Sequence, residues 1–178
     1  PAPAPAAAWL PGGTVYGTLL NFQRERDLWA PRMTQPPYQA APQAPVLYVK
    51  TANTFALGGA AVPVPAPVWL GPTLGLVIGE YEPNSPAAQD GQAPAAIKNS
   101  VIGGVAVSAC VLMNDLSLPH ESYYRPAIRY RNRDGFLVCG TQPVRAAQVD
   151  LAALRIEAWL NGARVQTLDL ATLVRDAA

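Results

Sequence analysis

Charged residues are scarce in this chain. They make up 14% of its 178 residues, and 13 lysines and arginines nearly balance 12 aspartates and glutamates, for a formal net charge of +1. The sequence has no block of basic residues and no aromatic stripe interleaved with them, so it does not predict a nucleic-acid partner. One histidine and two cysteines, in no ligand spacing, do not predict a zinc site. Cys110 and Cys139 are most simply buried thiols of a reducing compartment, with a disulfide as the open alternative.

Long hydrophobic runs are missing as well. The longest nearly uncharged apolar stretch, residues 101–113, is too short to span a bilayer, so no membrane is expected as a partner. Residues 1–13 are rich in proline and alanine and lack the basic start and hydrophobic core of a signal peptide. We predict a flexible lead-in over residues 1–13, a single domain over residues 14–178, and a cytoplasmic location.

Turn-forming residues, in contrast, are abundant. Nineteen prolines and fourteen glycines divide the chain into short segments, which favours a strand-rich fold over a helical bundle. Residues 31–45 carry five prolines and are predicted as an extended loop, and residues 80–99 as a surface excursion. The apolar patterns predict strands at residues 14–20, 46–50, 74–79 and 101–113. The last two are continuous apolar runs, typical of strands buried on both faces.

Local sequence patterns also predict helices and hairpins. Asn21 is a candidate N-cap for a short helix through residue 29. The Gly-Gly pair within residues 54–64 could turn a hairpin. Residues 154–160 alternate between apolar and polar, and Asn161-Gly162 then leads into residues 163–168, which predicts a hairpin with a type I′ turn. Residues 169–178 are predicted to form a short terminal helix.

The most polar part of the chain is residues 114–136. It contains the only histidine, His120, beside Glu121, together with Asp115, Asp134, two tyrosines in tandem and four arginines. In a chain with so few charges, this concentration between apolar runs predicts a site. The ordinary alternative is an exposed, charged loop.

Several segments, in order along nearly the whole chain, resemble the fumarylacetoacetate hydrolase family. They are residues 14–21 (TVYGTLLN), 35–38 (QPPY), 45–50 (PVLYVK), 52–54 (ANT), 74–79 (LGLVIG), 114–117 (NDLS), 117–128 (SLPHESYYRPAI) and 133–136 (RDGF). The resemblance implies a mainly β (α+β) fold, a mixed β-roll with short helices. It implies a decarboxylase or isomerase acting on β-keto and enol acids of aromatic catabolism. It also implies a divalent cation, Mg²⁺ or Mn²⁺, as cofactor.

The resemblance implies a metal site that this sequence retains only in part. Asp115 matches the third ligand of the family, but Gly71 and Thr73 stand where the family has its two glutamates. A hard divalent ion held by one protein carboxylate would be weakly bound. Glu25 stands at the position of the family's proton-handling histidine, and Leu28 follows where its partner acid is expected.

The candidate site residues combine the polar segment with this resemblance. The predicted catalytic residues are His120, Glu121 and Glu25; the predicted substrate-binding residues are Lys50, Arg131, Arg125 and Tyr124; and the predicted metal ligand is Asp115. A histidine suits general acid–base chemistry near neutral pH, and guanidinium groups pair with carboxylates of a dicarboxylate or tricarboxylate substrate. A surface histidine, a packed tyrosine and solvated arginines are the ordinary alternatives.

Three interpretations remain open from the sequence. The first is an active enzyme subunit. The second is a catalytically degenerate structural half that pairs with a metal-bearing homologous subunit, favoured by the missing glutamates. The third is a metal-free isomerase that uses Arg131, Lys50 and His120. In each case we expect a homo-oligomer or a hetero-oligomer with a homologous chain. The family continues through a closing strand beyond the point where this chain stops, so we expect either a shortened C-terminus or a partner half that completes the roll.

Overall fold

The computed structural model describes residues 8–65, 67–80, 105–123 and 128–175. Within these ranges the chain is built of short strands and few helices. The strands are β1 (Val15–Leu19), β2 (Val46–Lys50), β3 (Phe55–Leu57), β4 (Pro72–Glu80), β5 (Val105–Asp115), β6 (Leu137–Cys139), β7 (Val144–Arg145), β8 (Arg155–Leu160) and β9 (Ala163–Asp169). The α-helices are α1 (Gln23–Trp29) and α2 (Ile128–Arg131). The predicted mainly β (α+β) fold is therefore confirmed.

The central sheet has the order β3-β6-β5-β4, and β7 also pairs with β5. β3 and β6 run parallel, whereas the β4–β5, β5–β6 and β5–β7 pairs are antiparallel. The β4–β5 ladder begins with Pro72 opposite Asn114, and Asp115 pairs with Leu137 of β6. This register puts Asp115 at the end of β5, beside Gly71 and the start of β6.

A smaller antiparallel sheet of β1 and β2 packs beside this end of the molecule. Gly17 of β1 pairs with Tyr48 of β2, and a Cβ added at Gly17 would overlap the ring of Tyr48. The missing side chain lets the tyrosine ring cross the neighbouring strand. Tyr48 and Lys50 lie two residues apart on one strand, so they share a face, and both are buried.

Two clusters of buried side chains hold these sheets. One joins β1, β2 and the chain around α1; it contains Leu19, Leu20, Met33, Tyr38, Tyr48 and Tyr123. The other covers one face of the central sheet; it contains Val111, Met113, Leu137 and Cys139. Cys110 and Cys139 are both buried, free thiols, as predicted. They lie on opposite faces of the sheet, since Cys139 pairs with Met113, three residues along β5 from Cys110.

The strongest hairpin pattern is confirmed. β8 and β9 pair antiparallel, with Leu160 opposite Ala163 around the Asn161-Gly162 turn. Both turn residues have positive φ, 50° for Asn161 and 79° for Gly162, as a type I′ turn requires. The strands predicted at residues 14–20 and 46–50 are also confirmed, as β1 and β2.

Three predictions of local structure are wrong. Residues 54–64 form no hairpin: β3 pairs in parallel with the distant β6, and Gly59 (φ 85°) lies in the turn that follows β3. Asn21 is not the N-cap of α1, which is Phe22; the Asn21 amide instead exchanges hydrogen bonds of 3.0 and 3.1 Å with the backbone of Arg175. The described part of the predicted terminal helix, residues 169–175, forms a 3-10 turn, Leu170–Thr172, because Asp169 accepts a hydrogen bond from the Ala171 N–H and closes a tight turn; residues 176–178 lie outside the described residues.

The prediction of burial on both faces is also wrong for β4 and β5. Leu76, Ile78 and Leu112 are 37%, 59% and 56% exposed. The physical reason is that these strands pair antiparallel, an arrangement that leaves one sheet face open to solvent. Residues 101–104 and most of the excursion predicted at residues 80–99 lie outside the described residues. No helix in the described part of the chain has the length and apolarity needed to cross a bilayer.

Candidate active site

Four buried or half-buried polar side chains meet where β2, β5 and α2 end. We call them the Asp115 cluster; its members are Tyr48, Lys50, Asp115 and Arg131. β2 supplies the tyrosine and the lysine from one face, β5 supplies the aspartate as its last residue, and α2 supplies the arginine as its last residue. Three separate elements thus converge on one carboxylate.

Lys50 lies at the centre of this cluster and is 3% exposed. Its Nζ atom is 2.9 Å from Asp115 Oδ1, 2.6 Å from the Arg131 carbonyl oxygen and 3.2 Å from the Phe136 carbonyl oxygen. An ionised carboxylate and two backbone carbonyls can only accept, so three bonds require three protons on Nζ. The three acceptors thus match, one to one, the three protons of a lysine ammonium group. Its burial lowers the pKa, and the attraction and hydrogen bond of Asp115 oppose that shift.

The second carboxylate oxygen of Asp115 is also occupied. Oδ2 accepts hydrogen bonds from the Tyr48 hydroxyl and, at 3.1 Å, from Nη1 of Arg131. The Arg131 guanidinium lies 4.8 Å from the centre of the Tyr48 ring, within cation–π distance. Burial and the neighbouring Asp115 raise the pKa of Tyr48, so the phenol remains a neutral donor. One buried carboxylate is thus held by two cations and a phenol.

Glu25 lies beside the cluster on α1. Its Oε2 accepts a 2.9 Å hydrogen bond from the Leu20 N–H, and Leu20 has a positive φ of 59°. Burial raises the pKa of Glu25, while the Leu20 N–H bond and the charge of Arg131 oppose the shift. Glu25 therefore stabilises the turn between β1 and α1, and its charge interacts with that of Arg131.

His120 and Glu121 lie apart from this cluster. Nδ1 of His120 is 3.0 Å from the Leu118 carbonyl oxygen and 3.3 Å from Ser117 Oγ. Because a carbonyl oxygen only accepts, this contact favours the tautomer with its proton on Nδ1, which leaves the Nε2 lone pair free. The ring stacks on Tyr130 with centroids 5.5 Å apart. Glu121 is exposed. Within the described ranges, no hydrogen bond or ion pair joins either residue to the Asp115 cluster.

The structure thus brings together three of the predicted site residues, Lys50, Asp115 and Arg131, and Glu25 interacts with Arg131 through its charge. Tyr124 and Arg125 lie outside the described residues. Tyr48 is a cluster member that the sequence reasoning missed. The sequence did contain a signal for it: Tyr48 lies two residues before Lys50 on a predicted strand, and residues i and i+2 of a strand share a face.

The residues around Asp115 do not fit the divalent cation that the resemblance implies. The Gly71 carbonyl accepts a 2.8 Å bond from the Asp115 N–H, and the Gly71 N–H donates a 3.0 Å bond to Asn114 Oδ1. A Cβ at Gly71 would overlap the Asp115 carbonyl oxygen, so the backbone leaves no room there for a glutamate. Among the residues described, no group of three histidine, cysteine or acidic side chains could hold a metal ion.

Comparison with known proteins finds relatives that share one description. A bifunctional isomerase/decarboxylase of 4-hydroxyphenylacetate degradation from Escherichia coli is 35% identical over 170 residues, which cover 93% of this chain and 35% of that protein. Its counterpart from Salmonella dublin is 33% identical over 168 residues, again 93% of this chain and 35% of the relative. The chain thus spans about a third of the length of these relatives.

A solved structure supports the fold. The 5-carboxymethyl-2-hydroxymuconate delta-isomerase from Mycobacterium smegmatis superposes with a TM-score of 0.62 at 19% identity, over 96% of this chain and 59% of the isomerase. At this identity the likeness concerns the fold alone. The model of the fumarylacetoacetate (FAA) hydrolase C-terminal family matches residues 14–178, nearly the whole chain. The chain therefore belongs to the fumarylacetoacetate hydrolase family.

Proposed function

We propose that this chain serves as one half of an isomerase/decarboxylase in the catabolism of 4-hydroxyphenylacetate and homoprotocatechuate. Its substrates would be 5-oxopent-3-ene-1,2,5-tricarboxylate, which loses CO₂, and 2-hydroxyhepta-2,4-dienedioate, which isomerises. The observation that carries the proposal is 33–35% identity over 93% of the chain to enzymes with those two activities. The reaction class is proton transfer and decarboxylation next to a keto or enol group, in a cytoplasmic, oligomeric enzyme.

Among the described side chains outside the Asp115 cluster, His120 is an acid–base group suited to such chemistry. His120 holds its Nδ1 proton on the Leu118 carbonyl, which orients the ring and leaves Nε2 to accept a proton. Tautomerisation of an enol acid needs such proton transfer. The predicted roles of His120, Glu121 and Glu25 in catalysis, and of Tyr124 and Arg125 in substrate binding, belong to this proposal.

A second candidate function is a catalytically degenerate half that packs against a metal-bearing homologous chain. It is favoured by a specific observation: both oxygens of Asp115 are bonded within the chain, to Lys50, Tyr48 and Arg131. A divalent ion at that position would have to compete with the two cations and the phenol that already bind this carboxylate. In this case the partner would supply Mg²⁺ or Mn²⁺ and the decarboxylation, and this chain would supply the packing surface.

One assay separates these candidates. The purified chain is incubated with each substrate, with Mg²⁺, with EDTA, and with a homologous chain that has both metal-binding glutamates. Turnover by the chain alone, lost in His120→Gln and kept in the surface variant Arg164→Ala, supports the enzyme. Turnover only with the partner, unchanged in His120→Gln, supports the structural half. Isomerisation without decarboxylation, insensitive to EDTA, supports the metal-free isomerase.

A further inference from the structure

Three oxygen atoms converge on the Lys50 ammonium group from three different parts of the chain. Asp115 Oδ1 comes from the end of β5, the Arg131 carbonyl from the end of α2, and the Phe136 carbonyl from the residue before β6. We call these three atoms the oxygen cradle. One of them carries a negative charge and the other two are carbonyl dipoles, which together form a site for a single positive charge.

The geometry of the oxygen cradle suits an ammonium ion. Its three distances to Nζ lie between 2.6 and 3.2 Å, the range of N–H···O hydrogen bonds. A magnesium ion requires six oxygens at about 2.0–2.1 Å in an octahedron. The three protons of an ammonium group instead match three acceptors one to one.

A metal ion could not simply displace the lysine. The other oxygen of Asp115 is bound to Tyr48 and Arg131, and the cation of Arg131 lies 3.1 Å from it. A divalent ion at the oxygen cradle would therefore face a fixed positive charge across one carboxylate. The neighbouring backbone at Gly71 leaves no space for a further acidic side chain.

The same bonds limit the access of a substrate to Lys50. The lysine side chain is 1% exposed, and all of its protons are used within the chain. A substrate carboxylate would reach it only after the oxygen cradle had been broken. Lys50 is thus better described as a built-in counter-ion.

We infer that the oxygen cradle is a cation site filled by the chain's own Lys50 ammonium group, and that it selects primary ammonium ions over Mg²⁺ and Mn²⁺. This inference does not rest on the proposed function. Its direct consequence is that Lys50→Ala, which removes the three outer carbons and the nitrogen, opens a site shaped for n-propylammonium. Added n-propylammonium then takes the place of the missing side chain.

The test is thermal unfolding of the wild type and Lys50→Ala with a series of cations. For the wild type we expect no change in Tm with Mg²⁺, Mn²⁺ or EDTA. Lys50→Ala leaves Asp115 without one of its cations, so its Tm should fall by on the order of 10 °C. n-Propylammonium should restore part of this loss in a saturable way, as a ligand of the native state does. Tetramethylammonium, which has no N–H, should restore none.

Arg164→Ala provides the matched control, since it removes a cation from a 2.9 Å pair with Glu157 whose arginine side chain is 53% exposed. Its Tm should hardly change, with or without the amine. If Lys50→Ala is unfolded without additives, recovery of its circular dichroism on addition of n-propylammonium becomes the readout. Saturable binding of Mn²⁺ by the wild type, equal effects of the two ammonium ions, or no recovery with any amine would each overturn the inference.

Discussion

Tyr48 contributes two separate groups to the Asp115 cluster. Its hydroxyl donates a hydrogen bond to Asp115 Oδ2, and its ring face lies 4.8 Å from the Arg131 guanidinium. The ring has room only because Gly17 on the paired strand lacks a side chain. A phenylalanine keeps the ring and removes the hydroxyl, so the two contributions can be separated.

Tyr48→Phe should destabilise the protein by about 1–3 kcal/mol, because a buried carboxylate oxygen loses a donor. The measurement is the free energy of unfolding in urea. Tyr16→Phe is the control: Tyr16 lies on the paired strand β1 and is 64% exposed, so its change should be within about 0.5 kcal/mol. Equal effects of the two substitutions would contradict the role of the Tyr48 hydroxyl as a stabilising donor to Asp115.

Glu25 should make stability depend on pH in a defined direction. Burial raises its folded-state pKa above the ordinary value of 4.5, so the native state binds the proton more tightly than the unfolded chain. The stability that this proton contributes is fully present below pH 4.5 and is lost as the pH rises through the raised pKa. Glu25→Gln, which keeps an oxygen for the Leu20 N–H, should remove this loss.

The measurement for Glu25 is the free energy of unfolding from pH 4 to pH 8 in both proteins. As the pH rises, the wild type should lose stability relative to Glu25→Gln. Leu28→Ala, on the exposed side of the same helix, is the control and should show no such trend, because it removes no titratable group. A constant difference across the pH range would mean that Glu25 titrates alike in the folded and unfolded chain.

Four residues in or near the Asp115 cluster could be predicted from the sequence, but the contacts between them could not. The polar segment and the family resemblance together pointed to Glu25, Lys50, Asp115 and Arg131. They did not predict that Lys50 and Arg131 bind Asp115 itself. That pairing depends on contacts between residues 16 and 65 positions apart, which no local pattern encodes. Whether any of these residues acts on a substrate stays a prediction.

The β8–β9 hairpin is the element whose conformation the sequence encodes most completely. A Cβ added at Gly162 would meet nothing within 4 Å, but the φ of this residue is 79°. Gly162→Ala should therefore cost about 1–2 kcal/mol through backbone strain alone. The measurement is the change in unfolding free energy, with Gly12→Ala as control, because Gly12 also has open space but no positive φ. Equal costs would exclude strain as the cause.

The wrongly predicted elements differ from this hairpin in a physical respect. The turn of β8 and β9 is specified by two adjacent residues, so it can be read from the sequence. The partner of β3 is β6, which lies about 80 residues later, and that choice depends on the assembled sheet. The terminal helix is replaced for two reasons. Asp169 closes a local 3-10 turn, and Arg175 beyond it is held by the distant Asn21.

At the scale of the whole molecule, the outer face of the β4–β5 ladder is apolar and open. It carries large side chains that are 37–59% exposed; they are Leu76, Ile78, Leu112 and, on the adjoining β7, Val144. Several such residues on one sheet face are typical of an interface between chains. This face agrees with the predicted oligomer.

Leu112→Glu should weaken self-association, because it places a charge in the middle of that apolar face. Sedimentation equilibrium over a range of protein concentrations would measure the shift toward monomer. Leu28→Glu is the control, since Leu28 is 72% exposed on α1, away from the sheet face. If both variants associate like the wild type, or if the wild type is already monomeric, the β4–β5 face is not a contact between copies of this chain.

The connections that complete the oxygen cradle also have a kinetic consequence. Lys50 reaches its three acceptors across 65, 81 and 86 residues of chain, so large loops must close before any of these bonds forms. We therefore expect such contacts to form late in folding and to be weak in the transition state. The Tyr48 hydroxyl binds the other oxygen of Asp115 across 67 residues of chain, so the same argument applies to it. Tyr48→Phe should then speed unfolding in stopped-flow measurements and leave the refolding rate nearly unchanged. The ion pairs at the centre of this molecule would thus determine the lifetime of the native state.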